Sequence, residues 1–174
     1  MGVRLPLNVS IQFQVSSLKS HFLIFVQLLI MLANTETVHN LIPQEKPMIM
    51  VDTLLEHDEE RSLTGFLVEE GNIFVEDGRF SEAGLIENMA QSAALRTGWI
   101  GKQESAQQKD YKPPLGVIGA VKNFILHQLP SAGGTLQTEI HLVASFGSAT
   151  MVKAFVRSGT VLYAEAELKI FIQE

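Results

Sequence analysis

The sequence predicts an α+β domain in which one long central helix is wrapped by a curved antiparallel sheet. Three observations predict it. Between Glu82 and Gly98, apolar residues recur at Leu85, Ile86, Met89, Ala90, Ala93 and Ala94, the three-four spacing that sets one stripe of a helix against a core. From Gly116 to the end the pattern is all strand, with turn residues between three long alternating runs. The helical stripe also carries the small residues Ala90, Ala93 and Ala94, which let a helix lie close to the clean inner face of a sheet.

The elements follow in order. Pro43 and Pro47 bracket a short extended lead-in, because proline restricts both itself and the residue before it. Met48 to Glu56 (MIMVDTLLE) then reads as a buried strand, His57 to Glu60 as a charged turn, and Ser62 to Glu69 as a second strand ending at Gly71-Asn72. These two pair as a hairpin. After the helix, Gly98 and Gly101 mark its end, and Lys102 to Pro114 reads as an exposed loop. Gly116 to Leu129 is a long apolar segment and Leu129 to Gly134 is turn chemistry. Leu136, Thr138, Ile140, Leu142 and Ala144 then alternate with polar neighbours. Ala149 to Val156 is parted by Arg157-Ser158-Gly159-Thr160 from a last strand whose inner face is Leu162, Ala164, Ala166, Leu168 and Ile170.

Bulk properties bound the function. At 174 residues the chain is of single-domain size, and with 46% apolar and 18% charged residues it is too hydrophobic for disorder. A net charge of -6 argues against a nucleic-acid partner, whose phosphates would need Lys and Arg. The absence of cysteine removes disulfides, thiolate nucleophiles and cysteine metal sites, and agrees with a cytoplasmic location. No metal-ligand spacing stands out. The domain is expected over residues 39–174, with 1–38 as an extension. Within that extension Phe22 to Ala33 (FLIFVQLLIMLA) is nearly all apolar. It is short for a membrane span, which needs about 20 apolar residues. A secretory signal and a start codon placed too early, with Met31 as the true start, are the two other readings.

Three stretches carry a family resemblance. Ile42 to Glu56 (IPQEKPMIMVDTLLE), with two prolines and a Val-Asp pair, resembles the opening of the β-hydroxyacyl-[acyl carrier protein] dehydratases. Ile86 to Ala94 (IENMAQSAA) resembles the start of their central helix, with Glu87 and Gln91 in register. Gly119 to Phe124 (GAVKNF), the turn with Pro130 and Gly134, and Ala164 to Leu168 (AEAEL) match their later strands in order and spacing. The resemblance covers Leu41 to Ile172 and implies a hotdog fold. It also implies a homodimer or dimer-based oligomer with tunnels at the subunit interface, and a substrate carried on the phosphopantetheine arm of acyl carrier protein or as a CoA thioester. Neither a metal nor an organic cofactor is implied. In such enzymes a histidine of one subunit and a carboxylate on the other's helix move the protons. Here the histidine-bearing stretch before the helix is replaced by Phe74 to Gly84 (FVEDGRFSEAG), which has none. That departure is similar to a divergent branch found with polyene and aryl-lipid biosynthetic clusters.

Candidate site residues follow. Anchored on Phe74, the missing histidine falls near Asp77 or Gly78. Glu87 and Asp77 are the catalytic candidates: two carboxylates in one tunnel repel, so one tends to keep a proton, supplying an acid and a base. The competing readings are an Asp-Gly turn for Asp77 and a simple dipole partner in the first helical turn for Glu87. Gln91, one turn on, positions Glu87 or a thioester carbonyl, or is a satisfied interior amide. The backbone at Gly84 is either a thioester-oxygen donor or a helix-start glycine. Phe74, Phe80 and Met89 line an acyl tunnel or belong to the core. Arg79, Arg96, Lys102 and Lys122 form a candidate basic rim for an acidic carrier.

Three functions stay open: a dehydratase using Glu87 with Asp77, a non-catalytic acyl-binding or heterodimer partner of a histidine-bearing homologue, and a hotdog thioesterase.

Overall fold

The computed structural model describes residues 31–105 and 111–173. The chain divides into two units, Met1–Met31 and Leu32–Glu174. Of the first, only Met31 is among the described residues, so the apolar run and its readings lie largely outside them. The 106–110 part of the expected loop also lies outside.

The second unit is the expected fold. Its elements are α1 (Thr35–Val38), β1 (Thr53–His57), β2 (Arg61–Leu67), β3 (Val75–Glu76), β4 (Arg79–Phe80), α2 (Glu82–Glu104), β5 (Leu115–Leu126), β6 (Thr135–Phe146), β7 (Ala149–Ser158) and β8 (Val161–Gln173). Six strands form one antiparallel sheet in the order β1-β2-β6-β7-β8-β5, and β3-β4 is a separate hairpin. Alternation along β8 is as read from the sequence: Ala164, Ala166, Leu168 and Ile170 are buried. The period-two pattern therefore fixes which face meets the helix.

Helix α2 is buried on two sides. Leu85, Met89 and Ala93 pack with Phe66, Phe80, Ile140 and the inner face of the sheet. Leu95 packs with Ala33, Val38, Leu41, Ile42, Val51 and Leu54. Each fully buried Leu or Met contributes about 1.5–3 kcal/mol. The folded unit thus begins earlier than the expected residue 39: Ala33 and Val38 are core residues, and Ala33 pairs with Leu54. The first strand is shorter than read, because Met48 and Met50 hydrogen-bond to helix side chains rather than to a neighbouring strand.

The helix also runs past both glycines expected to end it. Gly98 lies under the backbone of Leu41, where an added Cβ would stand 1.8 Å from the carbonyl oxygen. Gly101 lies under the Tyr111 ring, whose hydroxyl donates to the Gly98 carbonyl at 3.1 Å. These glycines serve close approach, not termination.

Arg96, expected on an exposed basic rim, is instead only 6% exposed. Its Nη1 donates to the carbonyl of Asp58 (2.7 Å), the carbonyl of Arg61 (3.2 Å) and Ser62 Oγ (3.0 Å), and its Nη2 donates to the Glu59 carbonyl. The guanidinium ties α2 to the β1-β2 turn and satisfies the Asp58 and Glu59 carbonyls, which the turn leaves unpaired. His57 Nδ1 lies 3.2 Å from Arg96 Nη1 and 2.9 Å from Ser62 Oγ. Burial first, and the Arg96 charge second, hold the His57 pKa below its ordinary value.

Two expectations follow. Gly98→Ala should destabilise the chain by at least about 2 kcal/mol in chemical denaturation, because the methyl meets backbone that cannot swing away. Because folding favours neutral His57, its contribution is complete above about pH 6.5 and falls as the pH drops through the lowered value. Denaturation between pH 7.5 and 5 should show that loss, and His57→Gln should flatten it.

Candidate active site

The site is built from the first three turns of α2. Ser81 caps the helix, accepting from the Gly84 N–H at 3.4 Å. Gly84 is where Phe80 and Phe74 close over the helix start, since a Cβ there would come within 2.7 Å of both side chains. Its N–H is aimed at the cap and its surface is covered by two rings, which agrees with the helix-start reading.

Glu87 is half-buried, on a stripe with Ala90, Ala94 and Thr97 that stays partly open along α2. One of its oxygens accepts from Gln91 Nε2 at 2.7 Å. Gln91 is itself fully buried and spends the rest of its amide on one strip of chain: Nε2 donates to the Met48 carbonyl at 2.6 Å, and Oε1 accepts from the Met50 N–H at 2.7 Å. With its donors and acceptor engaged, Gln91 cannot rotate without breaking several hydrogen bonds. It therefore fixes one carboxylate oxygen of Glu87 and leaves the other free for chemistry.

A residue not singled out from the sequence completes the support. Asn88 is fully buried; Nδ2 donates to the Met50 carbonyl at 2.7 Å and Oδ1 accepts from Thr138 Oγ1 at 2.5 Å. The Met48–Met50 strip is held by two amides about one helical turn apart, Asn88 and Gln91. A polar residue inside an otherwise apolar helical stretch was the available signal, and it is the position where a buried amide requires partners.

The other candidates are placed as follows. Asp77 and Gly78 have φ of 49° and 72°, two positive values in succession at the tip of the β3-β4 hairpin. That is the signature of a type I′ turn, for which Asp-Gly is a favoured pair. Both are exposed, so within one chain Asp77 is an open loop tip just ahead of α2 and hydrogen-bonds to nothing in the site. Phe80 and Met89 are wholly buried core residues, and Phe80 packs on Phe66 and edge-on to Phe74. Their side chains fill the interior instead of walling a channel open to solvent. Phe74 is partly buried beside them. Of the basic rim, Arg79 is exposed and donates to the Leu129 carbonyl at 3.1 Å, and Lys102 and Lys122 are exposed.

Among the described residues no histidine hydrogen-bonds to Glu87. His39 is exposed, His57 belongs to the Arg96 cluster, His127 pairs with Glu165 at 3.1 Å and His141 with Glu139 at 2.9 Å. His21 lies outside the described residues. No group of three or more His, Cys, Asp or Glu suited to a metal occurs among the described residues, and none of their helices is long and apolar enough to cross a membrane.

A long helix packed against a six-stranded antiparallel sheet is a hotdog fold, and an anchored carboxylate stands on the helix's open stripe. The sequence matches the ApeP-like family, described as ApeP dehydratase, over residues 36–174, and the chain belongs to that family. No curated protein matches it. Among solved structures it is similar to the dehydratase heterocomplex ApeI:P from Xenorhabdus doucetiae (TM-score 0.70, 16% identity, covering 79% of this chain and 91% of that one). It is also similar to the PaaI protein of the E. coli phenylacetic acid degradation operon (TM-score 0.53, 12% identity, 68% and 80%). A third likeness is to a hypothetical thioesterase with coenzyme A from Streptococcus pneumoniae (TM-score 0.53, 10% identity, 69% and 84%). At these identities the structures establish the fold.

Replacing Gln91 by Leu strands the Met50 N–H in the interior and takes a donor from the carbonyl of the exposed Met48. At about 1–3 kcal/mol for an unsatisfied buried group, the variant should lose roughly 1–3 kcal/mol of unfolding free energy in a urea titration.

Proposed function

We propose that the chain supplies the carboxylate half of a dehydratase site acting on 3-hydroxyacyl and 2-enoyl thioesters of acyl carrier protein. The observation that carries the reading is the anchored Glu87: its carboxylate is pinned at one oxygen by a buried, fully engaged Gln91 and lies on the open stripe of the central helix. Elimination needs a base for the α proton and an acid for the β hydroxyl. The free oxygen of Glu87 is the group that hands a proton to the departing hydroxyl. A base takes the α proton, the α–β double bond forms, and water leaves. Proton return through the same two groups runs the reverse hydration. A substrate tethered to a phosphopantetheine arm supplies its own carrier, so the chain needs no cofactor of its own for these steps.

The base comes from across a subunit boundary. Asp77 of a second copy is one source: the hairpin tip is exposed and leads directly into α2. A histidine of a different hotdog subunit is the other. Two observations favour it: no histidine reaches Glu87 among the described residues, and a solved relative of the same fold is a two-component dehydratase complex by its description. The thioesterase reading gains less support, because the Gly84 N–H that would serve as an oxyanion donor is turned to Ser81 Oγ.

Dehydration of a 3-hydroxyacyl carrier thioester, followed by mass change of the acyl group, tests both sources. Glu87→Gln should lower the rate about 10²–10⁴-fold with little change in folding. If Asp77 of a second copy is the base, the chain alone is active and Asp77→Asn is not. If a histidine-bearing homologue supplies it, the chain alone is inactive and gains activity on mixing with that homologue. A Glu87→Gln protein that dehydrates at the wild-type rate in both settings would rule the reading out.

A further inference from the structure

Helix α2 meets the sheet through a polar contact set apart from the open stripe that carries Glu87. Four wholly buried polar side chains face one another there: Asn88 and Ser92 from the helix, Thr138 from β6 and Thr64 from β2. Thr64 and Thr138 are direct cross-strand partners, and Asn88 and Ser92 are four residues apart on one helix face. The two pairs match. Thr138 Oγ1 donates to Asn88 Oδ1 at 2.5 Å, and Thr64 Oγ1 lies 2.7 Å from Ser92 Oγ. The core around them is apolar, with Leu85, Met89, Leu136 and Ile140 all buried.

Apolar burial is non-directional, so it holds the helix on the sheet more firmly than it fixes rotation or slide. Hydrogen bonds weaken steeply with distance and angle. Two of them, set about 6 Å apart along the axis, fix both coordinates.

The hold extends to the site. Thr138 donates to Asn88 Oδ1, Asn88 Nδ2 donates to the Met50 carbonyl, the Met50 N–H donates to Gln91 Oε1, and Gln91 Nε2 donates to Glu87. Each of the two amides accepts at its oxygen and donates at its nitrogen, so one bond polarises the next toward the carboxylate. With side-chain atoms about 5–6 Å from the helix axis, a turn of about 20° carries the Glu87 carboxylate roughly 2 Å. Misplacement of reacting groups by about 1 Å is enough to cost about a hundredfold in rate.

We propose that Thr138 is a positioning residue for the site: with Thr64 it sets the rotation and register of α2 on the sheet, and so the place at which Glu87 is presented. Its hydroxyl is buried behind the helix and acts through Asn88, Met50 and Gln91. The catalytic consequence rests on the Glu87 reading; the link from Thr138 to Gln91 does not.

The test compares three variants of the full chain. Thr138→Val keeps the side-chain shape and removes the hydroxyl, and Thr138→Ser restores it. Ile140→Val takes a methyl from the next inward position of β6 and controls for loosened packing. The first measurement, hydrogen exchange of the Gln91 side-chain amide by NMR, needs no substrate. Exchange should quicken about tenfold or more in Thr138→Val and stay within about twofold of wild type in the other two. The second is dehydration, in whichever setting the wild type is active, alone or mixed with a histidine-bearing homologue. In Thr138→Val kcat should fall about ten- to a hundredfold with KM within about twofold, and Thr138→Ser should recover most of it. Should Thr138→Val fail to fold, Thr64→Val probes the neighbouring pair by the same two measurements. Unchanged Gln91 exchange or a wild-type kcat in Thr138→Val overturns the inference. So does equal quickening in Ile140→Val, which makes the effect one of packing. The two readings fail separately: a Glu87→Gln protein that still dehydrates defeats the catalytic assignment while the exchange result stands.

Discussion

The arrangement depends on a buried amide. Gln91 is placed where a helix faces a strip of irregular chain, Met48 to Met50, whose backbone groups have no strand to pair with. Burying unpaired backbone polar groups is costly, and Gln91 and Asn88 remove that cost by standing in for a missing neighbour strand. The carboxylate of Glu87 then rides on an amide that has little freedom left. A stability requirement and a positioning requirement are met by the same side chain, so the site is rigid without needing a separate scaffold.

The same logic explains the Arg96 cluster one turn further on. There the helix again meets backbone without strand partners, at Asp58 and Glu59 in the turn, and again a single side chain satisfies both carbonyls. From Asn88 through Gln91 to Arg96, α2 is the hydrogen-bonding partner of successive irregular segments as well as the hydrophobic axis of the sheet. This dual use accounts for buried polar residues in a helix whose neighbouring positions, Leu85, Met89 and Leu95, are wholly apolar.

What could be read from the sequence follows from this. The order of the strands β5 to β8, the hairpin β1-β2 and the helix were legible because period-two and three-four patterns depend only on which face is buried. The family likeness placed Glu87 and Gln91 on the helix. Gly98 and Gly101 look locally like helix terminators, whereas each answers a distant close contact, with Leu41 and Tyr111. Arg96 looked like surface charge because its partners are backbone carbonyls, which leave no mark in the sequence. Asn88 and Thr138 are 50 residues apart and form one bond, a pairing that only the folded register reveals. Phe80 and Met89 illustrate the remaining limit: apolar spacing shows that a residue is inside but not whether it faces packing or a channel.

The last consequence concerns β5. Among the described residues it pairs on one side only, with β8, and it exposes Leu115, Val117 and Ile125 along its length. The left-handed Asn123 and the two register breaks disturb the ladder but leave a long stretch of bare amides and carbonyls. Such a rim is a template for indiscriminate clumping whenever it goes uncovered.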